Sequence, residues 1–363
     1  MAFVIFGRMN RRLRNAVALS LIPQIIVVKL LARAPESVER FYSLGFYPAI
    51  SLFLRTLLGW LPFSVGDILY TALVVLLVRH LFLKGKEIFR KPLPFLRDII
   101  MVLSIAYFCF HLLWGLNYYR EPLSKTLSLR DTNTQLELEL FTEKLVRRTN
   151  EAQFSLTADS SLAVRVPYSQ KQLRAMTIEG YAALERIYPQ FAYDRPSLKN
   201  SLFSTALTYM GYGGYLNPFT NEAQVNGLLP NFRYPVVCGH EAGHQIGYSA
   251  ENETNFIGYL VTIQNSDPYF KYAGYAYALG YCLYEIKRRD EAAFDRLSAQ
   301  LNTGVKKNYQ EMADFWLAHE NPAEPIFKEI FNTFLKANNQ SKGILSYNSV
   351  VSLLVSYHEK HPL

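Results

Sequence analysis

The chain has 363 residues, half of them hydrophobic and only 19% charged, against roughly 25% charged in an ordinary soluble domain. Its net charge of +8 gathers around N-terminal apolar segments, so it reads as a membrane-topology signal and not as a nucleic-acid surface. The three cysteines, Cys109, Cys238 and Cys282, form no CxxC pair, which argues against a disulfide framework and a thiolate zinc site.

Three apolar segments come first. They are AVALSLIPQIIVVKLLA (residues 16–32), DILYTALVVLLVRHLFL (residues 67–83) and DIIMVLSIAYFCFHLLWGLNYY (residues 98–119). Each is near the length needed to span a bilayer. Lys29 can snorkel, and Pro23 is tolerable in a membrane helix. Between the first two lies FYPAISLFLRTLLGWLPF (residues 46–63), apolar but broken by Arg55 and prolines. It reads as an interfacial helix, with a fourth span as the alternative. The N-terminus carries Arg8, Arg11, Arg12 and Arg14, and residues 79–97 are densely basic. Both belong on the cytoplasmic side, so three crossings put the rest of the chain outside. Residues 1–120 are thus expected to form a membrane anchor and residues 121–363 a separate, mostly helical α+β domain.

That second part opens with two amphipathic patterns, LELELFTEKLVRRTNEAQ and SQKQLRAMTIEGYAALERIYPQF. Next, LFSTALTYMGYGGYLNPFTNEAQVNG is aromatic, β-branched and cut by Gly and Pro, and reads as extended chain and turns. Helical patterns return after Asn265.

The stretch VVCGHEAGHQIGYSAENETNF (residues 236–256) carries the chemistry. Pro235 suits a first helical turn and Gly247 a C-terminal cap. On that helix His240 and His244 are four residues apart, so both imidazoles share one face. This HExxH spacing suits two nitrogen ligands on tetrahedral zinc, with Glu241 beside the first as general base. Zinc lowers the pKa of a water and polarises a scissile carbonyl. A third ligand is needed. A second helix, capped by Ser249, puts Glu251 in its first turn and Asn255 one turn later. This acid followed by i+4 Asn resembles the ligand helix of the gluzincin, thermolysin-like metallopeptidases, with Asn255 orienting a ligand histidine. Glu253 is the second candidate. NPFTNEAQVN is the candidate substrate-binding edge strand. Oxyanion stabilisation has several candidates, Tyr272, Tyr275, Tyr277, Tyr347 and His319.

WGLNYYREPL, YMGYGGYLNPFTNEAQVN, GHEAGHQIGYSAENETNFIGYL and FLKANNQSKGILSY together resemble an uncharacterised family of bacterial membrane proteins, domain of unknown function 3810. The resemblance implies a zincin-like domain carrying His240, Glu241 and His244, with Glu251 and Glu253 both present in ENETNF. The fold expected is therefore mainly α: about three transmembrane helices, then a gluzincin-type domain. The function expected is a Zn2+-dependent metallopeptidase of the bacterial cytoplasmic membrane. It would act on a protein or peptide outside that membrane, with no nucleic-acid partner. The alternative is a non-catalytic, metal-binding regulator of the envelope.

Overall fold

The computed structural model describes residues 10–363, apart from the side chains at positions 84, 86–89, 347 and 348. Arg8 and the Tyr347 side chain therefore lie outside the described residues. The chain is mainly helical. Among the described residues, four helices are long and apolar enough to cross a membrane: α1 (Arg11–Leu31), α2 (Pro35–Leu58), the first part of α3 (Val65–Arg90), and α4 (Pro92–Leu113).

Contacts fix the directions of these helices. Arg14 pairs with Asp98 at 3.3 Å, and Ser20 meets Ser104 at 3.0 Å, so α1 and α4 run parallel. The residue Lys91 alone separates α3 from α4, and Pro92 opens α4. The first turn of α3 is anchored to the later domain: Gly66 N donates to Glu222 Oε2 at 2.6 Å, and Asp67 Oδ2 accepts from Leu202 N at 2.6 Å. The end of α4 meets the same domain through Trp114. Thus α3 and α4 form an antiparallel pair, and α1 ends on the side where α3 begins.

Helix α2 has both its ends on that side. Near its start, Tyr42 donates to Leu112 O at 3.0 Å, at the end of α4. At its last residue Lys199 donates to Leu58 O at 2.9 Å, and just beyond it to Phe63 O at 3.0 Å. Between them, Tyr47 and Ser51 donate to Gln245 O at 2.7 and 3.1 Å, while Phe41, Phe53 and Leu57 are exposed. The apolar helix predicted over residues 46–63 therefore starts earlier, at Pro35, and lies along the domain with an exposed apolar face.

Two capped helices follow. In α5 (Gln135–Thr157), Thr134 and Glu137 form a capping box, and in α6 (Gln170–Glu185), Ser169 and Gln172 do the same. A three-stranded sheet comes next: β1 (Leu198–Asn200), β2 (Gly214–Asn217) and β3 (Glu222–Val225), in the order β1-β3-β2. β1 pairs parallel with β3, and β2 antiparallel, with Tyr215 opposite Gln224. The predicted edge strand NPFTNEAQVN thus holds the central strand. β1, which carries no strong strand pattern, covers its far side, and β2 forms the edge instead. A short helix, α7 (Ser204–Tyr209), interrupts the stretch expected to be extended.

The core is built around α8 (Tyr234–Gln245) and α9 (Glu251–Gln264), both buried along most of their length. α10 (Pro268–Arg289) and α14 (Val350–Lys360) pack on them, α11 (Glu291–Ala299) and α12 (Thr303–Leu317) pack on α5, and α13 (Glu324–Ala337) lies against Gly343–Ser349. Gly239 and Gly258 set the crossing of α8 and α9. A Cβ on Gly258 would stand 2.6 Å from Val236 O, and one on Gly239 would stand 2.9 Å from Gly258 Cα. The two backbones can approach this closely only because both residues lack a side chain.

Candidate metal centre

Helix α8 ends in a tight C-terminal cap. Gly247 has φ +98°, its N–H donates to His244 O at 3.0 Å, and Tyr248 N donates to Gly243 O at 3.1 Å. This is the glycine-dependent reversal anticipated at Gly247. It turns the chain back so that α9 starts only a few residues later. The predicted Ser249 cap is not used. Ala250 occupies the N-cap position without a side-chain bond, and Gln340 Oε1 accepts from Glu251 N at 3.3 Å.

The turn brings three side chains together. The ligand atoms of His240, His244 and Glu251 all lie within 4.8 Å of one another, and all three residues are buried. Glu251 Oε2 stands 3.2 Å from His240 Nε2 and 3.7 Å from His244 Nε2. The outer nitrogens are engaged from behind. His244 Nδ1 lies 2.8 Å from Tyr248 O, and a carbonyl can only accept, so Nδ1 carries a proton and Nε2 is the atom left to hold either a second proton or a cation. His240 Nδ1 lies 2.9 Å from Asn255 Oδ1, the partner one turn beyond Glu251. This second layer aims both Nε2 atoms at the Glu251 carboxylate.

Two nitrogens and one carboxylate oxygen converging on one point form a donor set suited to zinc. Burial works against charge on His244, but the Glu251 carboxylate outweighs it and raises the group to about 9. Burial also opposes the charged form of Glu251, yet the two imidazoles hold that group well below the usual carboxylate range. A cation at this point would supply the same stabilisation to Glu251.

Glu241 sits beside this cluster and outside it. Burial pushes it up to about 7, against the lowering effect of the two histidines. Its Oε2 is buried without a hydrogen-bond partner among the described residues. The carboxylate lies against β2, where a Cβ on Gly214 would come within 2.7 Å of Oε1. Glu253, the other candidate ligand, points away. Its Oε1 accepts from Leu123 N at 2.6 Å, tying α9 to the chain just after the apolar helices.

The cluster opens into a cleft of about 690 Å³, whose wall includes β2 residues Gly214, Tyr215 and Leu216. Tyr277 lines it, as do Tyr281 and Arg233, which the sequence did not single out. Tyr272 instead donates to Asn308 Oδ1 at 2.8 Å, and Tyr275 packs against the core. His319 Nδ1 donates to Phe315 O at 2.7 Å.

Residues 42–355 match the family described as protein of unknown function (DUF3810). The chain belongs to that family. No curated protein and no solved structure matches it. The match begins inside α2, so its span takes in most of α2, all of α3 and α4, and the segment that carries the centre. That fits the contacts, because residues from the apolar region hold the end of α8. Trp114 Nε1 donates to His244 O at 3.0 Å, Arg120 Nη1 to Gly247 O at 2.8 Å, and Tyr47 to Gln245 O. His244 O also receives the Gly247 N–H, whereas Gln245 O and Gly247 O lie at and beyond the helix end, where side chains supply the donors. Composition marks Trp114 and Tyr47 only as aromatic edges of apolar segments, so their place at the centre had no signal in the sequence.

Proposed function

We propose that this DUF3810 protein is a membrane-anchored zinc metallopeptidase, with a zincin-like domain lying outside the bacterial cytoplasmic membrane. One observation carries the reading: His240, His244 and Glu251 converge on one point while Glu241 stands beside it with a buried carboxylate oxygen. Bound zinc supplies a lowered water pKa and a Lewis acid for the substrate carbonyl. Glu241 takes the proton of the attacking water and delivers it to the leaving amine. Burial raises Glu241 above the usual carboxylate range, which favours proton uptake, and the charge of a bound cation would act against it. The edge of β2 offers backbone groups for a substrate strand. Tyr277, Tyr281 and Arg233 stand on the cleft wall as donors for the oxyanion.

The membrane arrangement that fits these contacts has three crossings, α1, α3 and α4, with α2 along the interface. The test of the function uses the full-length protein. About one zinc per chain is expected. Glu241→Gln keeps that zinc and lowers peptide hydrolysis by roughly 10²–10⁴-fold. A His240→Ala/His244→Ala protein that retains its zinc overturns the site. Equal cutting by wild type and Glu241→Gln overturns the role of Glu241.

A further inference from the structure

The floor of the cleft is made by the apolar helices. Tyr70 lines it from α3, and Phe110 and Trp114 line it from the end of α4. Tyr70 is five residues inside α3, about 7.5 Å along the helix axis. Its ring stacks on Tyr215 of the edge strand, with centroids 6.3 Å apart. The cleft therefore reaches down to the level where one candidate span, α3, begins and another, α4, ends.

Helix α13 forms the opposite wall. Phe331 and Phe334 face the cleft, and the Phe334 ring lies 6.0 Å from Phe110. Its other side is also apolar and faces outward: Ile326 and Ile330, one turn apart, are each 62% exposed. A helix with apolar residues on both its inner and outer faces, beside the ends of spanning helices, suits the water–lipid boundary.

We propose that the substrate is the membrane-proximal stretch of a membrane-anchored polypeptide. It enters over the ends of α3 and α4, beneath α13, whose outer face rests on the bilayer. This rests on the metallopeptidase reading and names its substrate class. The edge strand β2 favours a polypeptide over a lipid, because a strand edge recognises backbone amides and carbonyls, which an acyl chain lacks. The apolar floor favours a segment leaving the bilayer over a loop of a soluble protein, whose polar groups would lose water there.

Three substrates test this with full-length, zinc-loaded protein in vesicles of phosphatidylethanolamine and phosphatidylglycerol. The first is a randomised peptide library fused directly to a Leu/Ala transmembrane helix. The second carries a Gly/Ser spacer of about 30 residues between them, which reaches roughly 30 Å. The third has no helix. Released fragments are read by mass spectrometry, with Glu241→Gln protein as the blank. The direct fusion is expected to be cut at least about tenfold faster than the spaced one, beyond what shared residence on the vesicle gives. Equal cutting of the spaced or soluble library overturns the proposal and leaves the peptidase reading standing. If nothing is cut while zinc is bound, the peptidase reading falls. Then p-benzoylphenylalanine in place of Phe331, in the Glu241→Gln protein, decides recognition by itself. Crosslinks to the direct fusion support the membrane-proximal polypeptide, and crosslinks only to vesicle lipid overturn it.

Discussion

Glu251 and Glu253 sit two residues apart in one helical turn and have opposite surroundings. Glu251 faces two imidazoles, while Glu253 accepts a backbone N–H from Leu123 and lies near Arg120. Glu251→Ala is therefore expected to lose zinc. Glu253→Ala should keep it while lowering thermal stability, since the Leu123 amide is left without its buried acceptor, a cost of about 1–3 kcal/mol. Metal analysis beside a melting curve separates the two. A zinc loss confined to Glu253→Ala would reassign the third ligand. His358 offers a second residue-scale prediction, on pH. Burial holds its imidazole down to about 4, with Nε2 2.6 Å from the Tyr259 hydroxyl. The unfolded chain takes up a proton near 6.5 and the folded one only near 4. Stability is then full above pH 6.5 and falls as pH drops toward 4. His358→Phe should flatten that part of the melting-temperature profile. An unchanged profile would remove His358 as its source.

At the scale of elements, the centre depends on how closely α8 and α9 cross. Gly258→Ala puts a Cβ 2.6 Å from Val236 O, a backbone atom that cannot rotate away. The helices must separate, at a cost of about 1–3 kcal/mol. Glu251 moves with α9, so zinc affinity should fall along with stability. Isothermal titration of the metal against Gly258→Ala checks this, and undiminished affinity would mean that the crossing does not set the ligand geometry. The same scale explains which expectations were legible. The two amphipathic patterns were legible as helices, and the capping boxes that start them, Thr134 with Glu137 and Ser169 with Gln172, are local features the sequence reading did not use. The edge strand was not legible. Its position depends on β1 pairing across β3, a contact between residues about 25 apart in sequence.

For the whole molecule, the decisive question is whether α2 crosses the membrane. It is apolar enough to do so, yet its start meets the end of α4, and its middle and its end contact the later domain. Fusions to alkaline phosphatase, active only outside the cytoplasm, distinguish the two arrangements. With three crossings, fusions after residues 61 and 130 are active and a fusion near residue 90 is not. If α2 crosses as well, the fusions after 61 and 130 are inactive and the one near 90 is active.

The spacing of His240 and His244, the adjacent Glu241 and the reversal at Gly247 could be read from the sequence because each acts within a turn or two of helix. So could the apolar segments, since hydropathy over some twenty residues is a property of the chain itself. Tertiary structure alone decided the rest. That Glu251, and not Glu253, faces the two imidazoles depends on how α9 crosses α8. The cleft comes from strands and helices far apart in sequence. The use of Trp114, Arg120 and Tyr47 to satisfy the last carbonyls of α8 depends on where a buried helix end happens to meet its neighbours. Those partners are set by packing across more than a hundred residues, and no local pattern records them.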